Sequence, residues 1–207
     1  MIDVYKCIPR SLVASTIVGV GCYSYLLCNS SMIGSILLST LLVVPSLLRL
    51  NLFTDKCGFV LDINDFRRLI LVLLLNTTVV FIFGLAATWT SDNLTESADV
   101  IVLSRISNGV ITIILSSTIA GLLTTLAIDS YDKTKNIFIS LLCVLPIAVL
   151  SLPHCILDMF YYSASSETIS NLGSVSIRLL LTVIFNFIGC NLYNLFIHRS
   201  LIYRDVL

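Results

Sequence analysis

The segment "SLPHCILDMF", residues 151–160, sets a histidine four residues ahead of an aspartate, directly behind a proline. Residues four apart share a helix face, so His154 and Asp158 can act as a pair. Histidine takes up and releases protons near neutral pH, and a neighbouring carboxylate orients it or shifts its pKa. Thr54, in "LNLFTDKCGF", offers a hydroxyl beside backbone N–H groups freed in a non-helical loop. That combination suits an anion or a neutral acid. Arg105 follows an acidic stretch and can draw anions into an outer vestibule through its field. Each has a plainer alternative. His154 and Asp158 can bond each other in a helix interface, or lie nearer the outer surface. The Thr54 segment, with Asp55, Lys56, Asp62 and Asp65, can be an ordinary cytoplasmic loop. Arg105 can be an arginine snorkelling at a membrane edge.

The chain around these groups is apolar. Of its 207 residues 57% are hydrophobic and 12% charged, with a mean hydropathy of +1.01. A soluble domain carries about 25% charged residues. A span needs about 20 apolar residues, so five or six spans with short loops use the whole chain as one membrane domain, 1–207. A charge at the bilayer centre costs about 2.5–3.5 kcal/mol on insertion scales. His154 and Asp158 therefore need a partner, a cavity or a task.

The expected spans are 9–28, a broken span over 31–66, 68–90, 106–128, a broken span over 136–164, and 172–197. Polar loops are expected at 91–99 and 129–135. Lys6 and Arg10 precede an apolar run, but further spans follow at once, so the run reads as a retained first helix. With both termini cytoplasmic, the inner segments hold Lys6, Arg10, Arg67, Arg68, Lys133, Lys135, Arg199 and Arg204. The outer side holds Arg105 and Arg178, the latter an interface anchor. That asymmetry follows the positive-inside rule for an even number of spans.

A weak internal symmetry runs through the chain. Asn76 and Gly84 mark span three, and Asn186 and Gly189 mark span six. The interrupted spans are the second of each half, the pattern of an inverted-repeat channel or transporter with its site at the midplane. Asn76 and Asn186 are expected to cap or bridge helices. Phe53, Phe160, Tyr161 and Tyr162 flank the breaks, where rings form hydrophobic constrictions, pack, or line the interface; Tyr161 and Tyr162 fit the interfacial belt.

Other functions find little support. Net charge is zero and the pI near 6.7, with no basic run for nucleic acid. The seven cysteines are scattered without C-x-x-C or a metal-ligand cluster, so no metal or cofactor is expected. An embedded enzyme using His154, Asp158 and Cys155 lacks H-E-x-x-H and G-x-S-x-G. The sequon "NLT" at 93–95 matters only in a secretory pathway.

These residues, taken in order, resemble the formate/nitrite transporter family of pentameric, aquaporin-like anion channels. The broken second helix of that family carries "LFT", here Leu52-Phe53-Thr54. Its broken fifth helix carries "H-x-x-x-N-M-F"; "HCILDMF" keeps His154, Met159 and Phe160, and Pro146 matches a family proline. Its sixth carries "G-N-I-I-G-G"; "FNFIGC" keeps Asn186 and Gly189. Three positions depart. Asp158 replaces the family asparagine, Pro153 replaces the glutamate before the histidine, and Arg105 is the nearest basic residue to the lysine of helix four. The resemblance implies an all-α protein of six transmembrane helices, an inverted 3+3 repeat with helices two and five broken. It implies a homopentamer in a cell (inner) membrane, conducting small monovalent anions or their acids with protons. Formate and nitrite come first; hydrosulfide, or a degenerate non-conducting homologue, is the alternative. The implied path is His154, Thr54, Asp158, Asn186 and Arg105, with Leu52, Phe53 and Phe160 as constrictions.

Overall fold

The computed structural model of the chain describes residues 4–58 and 63–204. The described residues form helices and no strand: α1 (Val4–Leu27), α2 (Met32–Leu47), α3 (Phe53–Cys57), α4 (Ile63–Thr88), α5 (Asp92–Ser107), α6 (Val110–Thr134), α7 (Ile137–Val149), α8 (Cys155–Ala164), α9 (Glu167–Ser170) and α10 (Leu172–Arg204). By length and composition, α1, α4, α6 and α10 can each cross a membrane. α2 and α7 are apolar but short, at 16 and 13 residues.

Several boundaries differ from expectation, three of them in ways that matter for the site. Segment 91–99, read as a polar loop, is the first half of α5. Segment 129–135 mostly prolongs α6, which ends at Thr134. α4 begins at Ile63, not at 68. Asp62 lies outside the described residues, as do the side chains of Lys6, Arg199 and Arg204.

The two breaks are built alike. α2 ends with Arg49 in the left-handed region (φ 53°) and α7 with Ser151 (φ 47°). At the first, Leu50 N–H bonds Pro45 C=O at 2.8 Å and Arg49 N–H bonds Ser46 C=O. At the second, Leu152 N–H bonds Ile147 C=O at 2.8 Å and Ser151 N–H bonds Ala148 C=O. This is the Schellman pattern, which satisfies carbonyls that a stopped helix would orphan. The chain then extends through Leu52 (φ −97°, ψ 137°) and His154 (φ −133°, ψ 119°) before α3 and α8 begin. Pro153 holds its predecessor extended and so reinforces the second break.

The long helices pack in two similar sets. α1 lies on α2 and α4; α6 lies on α7 and α10. The short helices cross over, α3 against α10 and α8 against α4, while α2 and α7 meet between the halves. Small residues allow the close crossings. A Cβ on Gly189 would run into the Thr118 carbonyl, and one on Gly121 into the Asn186 carbonyl. The exterior carries Leu74, Ile82, Ile111, Leu115, Leu142 and Ile177 exposed, while Ser11, Ser15, Thr125, Asn76 and Asn186 are buried. That is the distribution of a protein whose solvent is lipid.

Candidate functional site

Two asparagines fix the breaks. Asn76 on α4 accepts the Phe53 N–H at 2.8 Å, and its amide N–H groups reach Asn51 C=O, Ser11 C=O and Ser15 Oγ. Asn186 on α10 accepts the Cys155 N–H at 2.8 Å and donates to Pro153 C=O (3.2 Å) and Ser117 C=O (2.7 Å). Each thus accepts from the first N–H of a short helix and donates to the carbonyl of the residue just before that helix's extended cap. Each also ties a serine carbonyl of the first helix in its half. Both side chains are fully buried, and such amides are tolerable there because they are bonded throughout. Asn186, expected along a path, spends its amide on backbone groups of the second break and of α6.

The same face of α10 brings the breaks together. One turn beyond Asn186, Cys190 Sγ contacts Gly121 C=O (3.2 Å) and Thr54 C=O (3.6 Å), and Asn191 donates to Cys57 C=O at 3.1 Å. A helical turn rises about 5.4 Å, so the starts of α3 and α8 sit that close along α10. Leu52 and His154 occupy corresponding positions, as the caps of α3 and α8. Leu52, Phe53 and Phe160 are buried. Both ring nitrogens of His154 and the Thr54 hydroxyl are buried without a hydrogen-bond partner among the described residues. A buried polar group left unpaired costs about 1–3 kcal/mol, and such local violations concentrate at functional sites.

Asp158 does not join His154 through its side chain. His154 is extended and precedes the helix, so the shared helical face expected of the pair is incomplete; the link is Asp158 N–H to His154 C=O at 2.8 Å. The Asp158 carboxylate goes to Arg105. Oδ1 accepts from Nη2 at 3.2 Å and from Nε at 3.3 Å, while Oδ2 has no partner among the described residues. Arg105 is 4% exposed and Asp158 1%. Arg105 is thus neither at the start of a span nor snorkelling: it lies in the last turn of α5 and is buried. Arg178, expected as an interface anchor, caps the end of α5 by donating to Asn108 C=O and Ile106 C=O. Tyr161 and Tyr162, expected in a belt, are buried, with Tyr161 6.1 Å from the Tyr25 ring.

Cavities lie at both ends. One of about 520 Å³ opens beside Asp55 and is lined by Ser46, Arg49, Lys56, Tyr131 and Lys135; Asp55 itself is buried and accepts from Ser46 Oγ at 2.5 Å. One of about 200 Å³ opens outside Arg105, among Asn108, Thr112, Ser116 and Ser151. Sequence reasoning missed the Arg105–Asp158 pair, the serine carbonyls and the Cys190 contact. Of these only α5, which carries Arg105, had a signal: Leu94, Ala98, Ile101, Val102 and Arg105 recur at helical spacing and are buried.

No family model matches the chain, and no curated protein matches it by sequence. Solved structures do. One described as an FNT family ion channel superposes with a TM-score of 0.80 over 92% of this chain and 88% of that one, at 14% identity. Another, a pentameric formate channel with formate bound, gives 0.76 over 96% and 97%, at 16% identity. The chain has the all-α fold of the FNT family ion channels.

Proposed function

We propose that the chain is a membrane channel or proton-coupled transporter for small monovalent anions, with formate and nitrite as its first substrates. The observation that carries this is the pair of broken helices meeting at α10 with His154 and Thr54 buried and unpartnered. The formate-bound, pentameric relative in fold supports both a homopentamer and the substrate class. In this reading six segments cross the membrane, α2 with α3 and α7 with α8 each making one broken crossing. Both termini are cytoplasmic, in a cell (inner) membrane. Leu52, Phe53 and Phe160 form a dry barrier that a small anion crosses poorly with its charge. A proton exchanged with His154, or with water beside it, lets the species cross as its neutral acid. Thr54 supplies a hydroxyl on the facing side.

The test is flux into liposomes holding the purified protein, with formate, nitrite and hydrosulfide offered separately. Selective flux of formate or nitrite, altered in His154→Asn, is the expected result. Selective hydrosulfide flux would move the substrate within the same class. No flux of any of the three refutes the channel. A second reading, a structural relative that conducts nothing, is favoured by the buried Arg105–Asp158 pair at one end.

A further inference from the structure

The internal repeat allows the two ends of the proposed path to be compared position by position. At the Asp55 end, Tyr131, Ser46, Arg49 and Asp55 border the cavity of about 520 Å³. Their counterparts in the other half are Tyr25, Ala148, Ser151 and Leu157. These border a space too small for a water molecule, and Arg105 and Tyr161 also wall it. One end is therefore wide and the other shut. Arg105 also lines the cavity of about 200 Å³ outside the closure. It is the one charged residue shared by that cavity and the closed space, so whatever enters from outside meets its guanidinium.

That guanidinium already holds a carboxylate. Asp158 reaches it through Oδ1 alone, at 3.2 and 3.3 Å, and leaves Oδ2 unpaired. Arginine and carboxylate bind most strongly as a bidentate fork, so this contact is short of the best available. A buried charge nonetheless needs a partner, and Arg105 keeps this one until a better one arrives.

We propose that Arg105 is an anion-binding residue whose resident occupant is Asp158, a tethered counter-ion that an entering anion must displace to pass this end. The ligand is a small planar anion carrying two oxygens on one centre, the shape of the carboxylate it replaces. This rests on the channel reading above for its consequence in flux, but not for the binding itself. A tether that fills the site most of the time raises the apparent dissociation constant by the inverse of the vacant fraction.

The experiment is a calorimetric titration of the purified assembly with sodium formate and sodium nitrite, run beside liposome flux. Asp158→Asn removes the tethered charge and is expected to tighten binding of both anions by roughly tenfold or more, and to raise flux at sub-saturating anion. The double variant Arg105→Gln/Asp158→Asn is expected to lose the gain. Equal affinity in wild type and Asp158→Asn overturns the proposal. So does a gain that survives in the double variant. If Asp158→Asn, with its buried arginine unpaired, folds only poorly, added formate is expected to restore the assembly. Failure of formate to do so, while the double variant folds, overturns the proposal too. Tighter binding without flux in any variant upholds the tether and refutes the channel; flux with unaltered affinity does the reverse.

Discussion

Replacing Asn186 with leucine is expected to loosen the second break and leave most of the bundle in place. The substitution keeps the number and branching of side-chain heavy atoms, and the effect counted here is that of the lost polar contacts. Three bonds go: from Cys155 N–H, to Pro153 C=O and to Ser117 C=O. In a bilayer an interhelical side-chain bond is worth about 0.6 kcal/mol on average, because the unfolded chain also finds partners. The three together come to about 2 kcal/mol on that scale. The Cys155 N–H adds to it, since it belongs to the first turn of α8, where no intrahelical carbonyl is in reach. Leaving such a donor buried and unpaired raises the cost toward about 3 kcal/mol. That range corresponds to a loss of protection from roughly thirtyfold to somewhat over a hundredfold, at about 1.4 kcal/mol per tenfold.

Hydrogen exchange read by mass spectrometry on detergent-purified protein measures this locally. Peptides covering 153–160 are expected to lose protection by that factor, while peptides in α1 and the centre of α4 change little. Asn76→Leu serves as the internal comparison and is expected to do the same at 51–57. Unchanged exchange at 153–160 in Asn186→Leu, with the side chain shown to be leucine, refutes the reasoning that the amide holds the break.

Three further outcomes are expected. Gly189→Leu drives a side chain into the Thr118 carbonyl; overpacking of this kind costs about 1–3 kcal/mol or more, and loss of the native assembly on size-exclusion chromatography checks it. His154→Asn, which keeps a polar but smaller and non-titrating side chain, is expected to alter the pH dependence of flux without changing assembly; identical flux profiles between about pH 5 and pH 8 contradict a protonation role. Asp99→Ala removes the acceptor of Ser165 Oγ (2.6 Å), Ser166 N–H (2.8 Å) and Ser166 Oγ (2.8 Å). At a partly exposed site this is expected to cost about 1–2 kcal/mol, seen as a lowered melting temperature and faster proteolysis near residue 166.

How much of this was legible depended on whether a feature is local in sequence. The breaks were, because Pro153, Thr54 and a run of mixed polarity interrupt otherwise apolar spans. The long spans were too, apart from their ends. α5 was not seen, because its first two turns carry Asp92, Asn93, Thr95, Glu96, Ser97 and Asp99, and polarity of that density reads as loop. Its apolar face is narrow, and it is held through Arg178 at one end and Asp99 at the other. The burial of Arg105 was out of reach as well. It depends on a carboxylate 53 residues away in sequence, and nothing near either residue announces the other. Tyr161 and Tyr162 looked like belt residues because an aromatic pair at a span end fits both roles, and only the packing of α8 against α4 decides between them.

The two halves agree in one set of positions and disagree in another, and the division separates scaffold from chemistry. Asn76 and Asn186 match, as do Ser11 and Ser117, whose carbonyls they hold, and Tyr25 and Tyr131. Arg49 and Ser151 match in backbone conformation though not in type. These positions stop a helix and restart it, which either half requires. The disagreements fall on the caps and first turns of α3 and α8. Leu52 stands where the other half has His154, Thr54 where it has Ile156, Asp55 where it has Leu157, and Lys56 where it has Asp158. A scaffold under symmetric demands keeps its symmetry because each clamp solves the same problem of orphaned backbone. A path that admits an anion at one end and handles a proton in the middle has no use for symmetry. Its polar groups are expected to differ most where the fold repeats best, and that is where His154, Thr54 and Asp158 lie.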